Sequence, residues 1–333
     1  MIPNGLILPE LNRFSFEFRG MTKTEEVLLF PDGSLMNYLP HPESQVGVYF
    51  DDYGCVSHSE ENCLESLIIK QLDSFSKENQ SFLTTKIYHD GKPDFSDRDL
   101  VVLSGTTNKG NSSAKVYSTI TDKGLISQRE GGWDMLNRNP IENTKEKYFA
   151  YSRTKEGENI AKEFNRRFEI LGEWVGQDKW AEASKYGALQ VYVNAWYKRN
   201  GKYYNPIGGH NHAVEMVDYQ SVKIFDTYDP YVKELESWSD CYYLAFKLNI
   251  IERVMEKPII RNNTLLQLVA DSSNPNESKA GLGQFGLFLD GKILTGNSGD
   301  VLATFYMRNN GNTLGMTKAL VRTDWDLFEK KSL

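Results

Sequence analysis

The stretch DDYGCVSHSEENCLESLIIKQL, residues 51–72, sets a cysteine after a turn-like Asp-Asp-Tyr-Gly and at the head of a helical pattern. Val56, Cys63, Leu64, Leu67, Ile68 and Leu72 recur at helical spacing and predict a helix of about 20 residues, long enough to run through the centre of a domain. Glu60, Glu61 and Glu65 are expected to lie largely on its outer face. A cysteine at a helix N-terminus meets unpaired N–H groups and the positive end of the macrodipole, both of which favour the thiolate. The ordinary role of a lone cysteine is that of a small buried residue. What Cys55 does therefore depends on what the rest of the chain brings to it.

A thiolate nucleophile needs a base, and the base needs an orienting partner. Of five histidines, His210 and His212 lie in GGHNHAVEMVDY, where a β-strand begins. The following strand, SVKIFDTYDPY, offers Asp226 and Asp229. A turn centred on Tyr219 sets residues 212 and 226 directly opposite each other, on one face and about 5 Å apart. His212 with Asp226 is thus the self-consistent pair. His210 with Asp229, which precedes Pro230 near the strand end, is the weaker one, and His210 is expected in a loop at the rim of the site.

Upstream, EEVLLFPDGSLMNYLP reads as strand, turn, strand, and residues 78–95 as irregular. Ser96 is a candidate N-cap of a short helix ending at Gly105, and AKVYSTITDKG reads as a second, closed by Gly124. NIAKEFNRRFEILGEW and DKWAEASKYG have helical spacing. Period two then takes over in ALQVYVNAW, HAVEMVDY, SVKIFDTY and CYYLAFKLNI. After about residue 255 the chain turns rich in Gly and Asn with short β runs. Helices followed by strands predict an α+β fold, a helical half packed on an antiparallel β half with a cleft between, and an appended β-containing module. The expected divisions are a β-like extension over 1–45, the main domain over 46–254 and the module over 255–333.

The chain has 333 residues, 40% of them hydrophobic, and a net charge of −7. That permits a sizeable core and argues against a nucleic-acid or membrane-surface role. No apolar run reaches the roughly 18 residues of a spanning helix, and the N-terminus lacks a signal-peptide pattern. Three cysteines, an odd number, argue against a disulfide framework and for a reducing compartment. Cys63 and Cys241 are expected in the core. His58, three residues after Cys55, has no second well-spaced pair to complete a zinc site, so no metal or other cofactor is expected. FNRRFE at 164–169 reads as a solvated helix face, and GLGQFG at 281–286 as turns.

Taken in order, these segments resemble the papain-like cysteine peptidases over roughly residues 45–250. YGCVSHSEENCLESL resembles the nucleophile segment. KYGALQVYVNAWYKRNGKYYNPIGGHNHAVEMVDY resembles the strands that carry the histidine, and VKIFDTYDPY the strand after them. PHPESQVGVYFDDYGC is similar to the segment before the cysteine in phage-encoded members. The resemblance implies a two-lobed α+β fold and a thiol protease that hydrolyses polypeptides. It makes Cys55 the nucleophile, His212 the general base, Asp226 the orienter and Gln45 an oxyanion-hole donor. It also implies virion proteins as partners, and the cytoplasm of a bacterial host or the phage particle as location. Val56 replaces the aromatic residue that usually follows the nucleophile, Tyr228 stands where a Trp usually shields the pair, and Asp226 takes the place of Asn. Two rival readings keep the fold: a structural or binding protein of a phage particle without catalysis, and a hydrolase of peptidoglycan peptide crosslinks.

Overall fold

The computed structural model describes residues 6–8, 27–206 and 208–253, together with the backbone of four strands between residues 288 and 321. Contacts divide the chain into two compact units, Met1–Arg253 and Val254–Leu333.

In the first unit, helix α1 (Cys55–Gln71) is followed by α2 (Asp97–Leu103), α3 (Ser113–Lys123) and α4 (Lys155–Arg167). The chain then forms an antiparallel sheet: β1 (Phe168–Gly176), β2 (Ala188–Val193), β3 (His212–Asp218), β4 (Lys223–Phe225), β5 (Val232–Glu234) and β6 (Leu244–Glu252), in the order β1-β6-β2-β3-β4-β5. The fold is α+β, as expected. The local signals for α2 and α3 are visible in the bonds: the Ser96 hydroxyl accepts from the Asp99 N–H, and Gly124 closes α3 at φ 69°.

One face of the sheet packs on α1. Ala213, Val217, Phe225, Phe246 and Leu248 join Val56, Leu64, Leu67 and Ile68 in one apolar core. The other face carries a second core of Val191, Val214, Met216, Ile224 and Trp238. Cys63 belongs to the first core and Cys241 to the second; all three cysteines are buried and unpaired.

Glu60, Glu61 and Glu65 are buried, against the expectation that they face outward. The amphipathic reading supposes a helix with one wet side. Helix α1 has none over residues 55–68, because the sheet covers one flank and α2 and α3 cover others. Burial pushes the carboxyls of Glu60, Glu61 and Glu65 well up, and the Glu65 carboxyl accepts from the Phe95 N–H at 2.6 Å. On β3, burial raises Glu215 to about 8, against a weak opposing effect of Ser66.

Other local readings also change. FEILGEW is not helix but the first strand, paired along its whole length with β6; the buried alternation Phe168, Ile170, Gly172 suits a sheet flank once the partner strand is there. The segment 78–95 holds a helix, Lys77–Phe82, and a wider turn, Leu83–Ile87. The turn at Pro31–Asp32 forms, but its flanks make only isolated contacts: Leu29 and Phe30 donate to the Lys185 carbonyl and Leu35 to that of Val217. In FNRRFE, Arg167 is buried and donates to Asn79, Glu78 and Glu163 rather than facing solvent.

In the second unit the described backbone forms hairpins: β7 (Phe288–Leu289) with β8 (Lys292–Ile293), and β9 (Val301–Asn309) with β10 (Asn312–Val321). GLGQFG lies outside the described residues.

The buried carboxyls carry a pH signature. Glu215 has a folded pKa above its unfolded value of about 4.3, so its share of stability is complete below that value and lost as pH rises towards about 8. Glu215→Gln, which mimics the neutral acid, should gain on the wild type by roughly 1–3 kcal/mol between pH 5 and pH 8 in chemical denaturation. A constant difference between the two proteins over that range would contradict this.

Candidate active site

The site begins in the turn before α1. The Tyr53 N–H donates to Asp51 and the Gly54 N–H to Asp52, each at 2.7 Å. Asp52 is itself held by Tyr148, whose hydroxyl donates to it at 2.8 Å, and by His58 Nε2 at 2.9 Å. The other ring nitrogen of His58 lies 2.8 Å from Asp97. Burial works against a charged His58, but Asp97 and Asp52 outweigh it and raise its pKa well above the usual imidazole range. An imidazolium between two carboxylates thus clamps the first turn of the helix. Glu43, His58 and Asp97 could approach a metal together, with ligand atoms within 4.8 Å, yet both His58 nitrogens already face carboxylates. At Gly54 an added Cβ would fall 2.4 Å from Val101 Cγ2 and 2.9 Å from Asp52. This is why the residue before Cys55 is a glycine.

From the sheet side, Gln190 on β2 fastens the same turn. Its amide donates to the Val56 carbonyl at 2.9 Å and the Ser59 hydroxyl at 2.6 Å, and its oxygen accepts from Tyr192 at 3.0 Å and from Ser113. Helix and sheet are therefore locked together one residue beyond Cys55.

His212, the first residue of β3, lies close enough to Cys55 for the thiol to act on its imidazole. Its Nε2 lies 2.5 Å from Asp226 Oδ1, so Nδ1 is the nitrogen that Asp226 does not engage. Asp226 also accepts from the Thr227 N–H at 2.7 Å. The hairpin reaches this arrangement in a register other than the expected one. Glu215 pairs with Phe225 and Met216 with Ile224, with a bulge between Met216 and Asp218. Continued from there, the register sets 226 opposite 214, two residues from 212. An even shift keeps both residues on one face, so His212 and Asp226 still meet, as diagonal neighbours.

Burial pulls the pKa of His212 down, but the charge and hydrogen bond of Asp226, followed by Cys55, raise it to about 9. Two aromatic rings flank the imidazole edge-on: Tyr228 at 5.0 Å and Trp196 at 5.5 Å. Trp196 was legible only as the residue after a strand; nothing in its spacing pointed to His212. His210 does not pair with Asp229 but packs on Tyr242, ring centroids 5.5 Å apart.

Gln45 reaches the same region with its side chain engaged. Its amide donates to Tyr228 at 2.9 Å and Asp51 at 3.2 Å, and its oxygen accepts from Thr227 at 2.7 Å. It ties the segment before the cysteine to the segment after Asp226. Lys233, which the sequence reading passed over, donates to Asp226 Oδ2 at 2.5 Å.

No family model and no curated protein sequence matches the chain. Among solved structures it is similar to xylellain, a cysteine protease from Xylella fastidiosa, at 12% identity and TM-score 0.46, over 74% of this chain and 95% of that one. It is similar to procathepsin B S9 from Trypanosoma congolense at 13% identity and TM-score 0.41, over 73% and 86%. A Carica candamarcensis cysteine protease in complex with E-64 is similar at 12% identity and TM-score 0.38, over 65% and 95%. These likenesses concern the course of the chain; the roles of residues rest on the contacts described above.

Gly54→Ala should destabilise the protein by roughly 1–3 kcal/mol in chemical denaturation through overpacking against Val101. Val101→Ala should then cost less in the Gly54→Ala background than in the wild type. Strictly additive effects would show that the two sites do not touch.

Proposed function

We propose that the chain is a cysteine peptidase, with Cys55 as nucleophile, His212 as general base and acid, and Asp226 as the group that orients His212. The His212–Asp226 hydrogen bond, with Cys55 close enough to act on the same imidazole, carries this reading. His212 takes the thiol proton to give a thiolate–imidazolium pair. The sulfur attacks a peptide carbonyl, and the imidazolium returns its proton to the leaving amine as the C–N bond breaks. Water, deprotonated by His212, then hydrolyses the thioester and releases the acid and the thiol.

The tetrahedral oxyanion needs donors. The Cys55 N–H, first in α1, has no intrahelical acceptor and is one of them. Gln45 is the nearby side-chain donor in this reading; with both amide hydrogens given to Tyr228 and Asp51, it serves the oxyanion only by releasing one of them. Trp196 and Tyr228 supply the aromatic walls that keep water from the His212–Asp226 bond.

The proposed substrate is polypeptide. The similarity of residues 40–55 to phage-encoded members supports a phage origin and virion proteins as partners; peptidoglycan peptide crosslinks are the alternative substrate of the same chemistry. A second reading, a binding protein without turnover, draws support from Cys55 itself, which is 0% exposed. In the peptidase reading, whatever covers the sulfur must move for substrate to enter.

Hydrolysis of a denatured, fluorescently quenched protein separates the readings. The full chain should cleave it, Cys55→Ala should reduce cleavage to background, and His212→Ala should lower it by about 10²–10⁴-fold. Activity should fall as pH rises through about 9, where His212 loses the proton that the leaving amine requires. Turnover that survives Cys55→Ala would overturn the assignment. No turnover on protein or on peptidoglycan by the wild type would favour the binding protein.

A further inference from the structure

Asp226 is not alone with His212. Its second oxygen faces Lys233 on β5, whose Nζ lies 2.5 Å away. Lys233 is 2% exposed. Its other protons go to the carbonyl of Pro230 at 2.6 Å and to that of Tyr228. Its ammonium also lies over the Trp196 ring, 4.9 Å from the centroid, and nearer the Tyr203 ring than 6 Å, at 5.7 Å. All three donors are thus used, and the aromatic faces close the remaining sides. Asp229 and Lys198 act on Lys233 as more distant charges of opposite effect.

This arrangement has a consequence for His212. A buried carboxylate 2.5 Å from an imidazole holds its proton strongly. A base held too tightly by its orienter gives its proton to a leaving group less readily. A cation on the far oxygen of the same carboxylate offsets that pull, while the near oxygen still fixes the ring. Together the Asp–Lys pair presents His212 with an acceptor of little net charge, much as a side-chain amide would.

We infer that Lys233 is a positioning residue of the catalytic set: it neutralises Asp226, so that the pair orients His212 without over-stabilising its protonated form. The inference rests on the cysteine-peptidase reading of Cys55 and His212. Burial is the largest influence on Lys233 and favours its neutral form, while Asp226 favours the charged one. The pair is therefore interdependent: removing either member leaves the other as a buried, uncompensated charge.

The test is the pH profile of Cys55 alkylation by iodoacetamide, read by peptide mass spectrometry in the full chain, with Cys63 and Cys241 as internal controls. It requires no knowledge of the natural substrate. In the wild type the alkaline inflection should lie near 9. In Lys233→Met it should move up by about 1 unit, because Asp226 is no longer offset. In Asp226→Asn it should move down by about 1 unit or more, because the carboxylate that holds the imidazole proton is gone and any charge Lys233 keeps adds to the fall. The double variant Asp226→Asn/Lys233→Met should return towards the wild type, between the two.

A purely structural Lys233 would lower the melting temperature of Lys233→Met and leave the inflection in place, which would overturn the inference. If Lys233→Met does not fold, Lys233→Gln takes its place: an inflection left at the wild-type value in that variant would overturn it. Wild-type Cys55 that alkylates no faster than an ordinary thiol at pH 6 would instead remove the peptidase reading itself.

Discussion

The site depends on one contact, the 2.5 Å hydrogen bond between His212 Nε2 and Asp226 Oδ1. It fixes which ring nitrogen faces Asp226, and with the charge of Asp226 and the nearby Cys55 it outweighs the effect of burial on the imidazole. Both residues are almost fully enclosed, so the bond is not weakened by competing water. The rest of the first unit holds the two ends of this bond, and the sulfur beyond it, in fixed relation. β3 carries His212, the segment after β4 carries Asp226, and the N-terminus of α1 carries Cys55.

Three polar networks do this work from different directions. Asp52, His58, Asp97 and Tyr148 clamp the turn before Cys55 from the helical side. Gln190 grips the first turn of α1 from the sheet. Gln45, Tyr228 and Asp51 tie the chain ahead of the cysteine to the strand end that bears Asp226. The first two networks are buried and the third partly so, so polar atoms left without a partner in them would cost free energy. A central helix that buries His58, Glu60, Glu61 and Glu65 is the outcome. It is less an amphipathic element than a polar-studded axle within the core.

The fold class was legible from the order of periods, helical first and alternating afterwards, and the core strands β2, β3 and β6 lie where the alternation put them. The catalytic candidates were legible because chemistry restricts them: few cysteines, few histidines, and a strand pair that sets His212 near Asp226. The detailed register was not, because a bulge at Met216–Asp218 has no local sequence signal; the pairing survived since the error was an even number of residues. The burial of Glu60 and Glu61 was illegible for a different reason. Periodicity reports one wet side, and cannot reveal that tertiary neighbours cover it. Lys233 escaped notice because its meaning is entirely non-local. It is an unremarkable lysine in a short strand until the fold sets it against Asp226. Trp196 is of the same kind.

The central claim is that His212 is held protonated beside a cysteine sulfur at neutral pH. Its most direct measurement is the titration of the His212 ring by NMR in the full chain, assigned by comparison with His212→Ala. The account predicts a ring that remains protonated through pH 7 and titrates with an apparent pKa near 9. A ring that titrates near 6.5, as an unperturbed imidazole does, would contradict it.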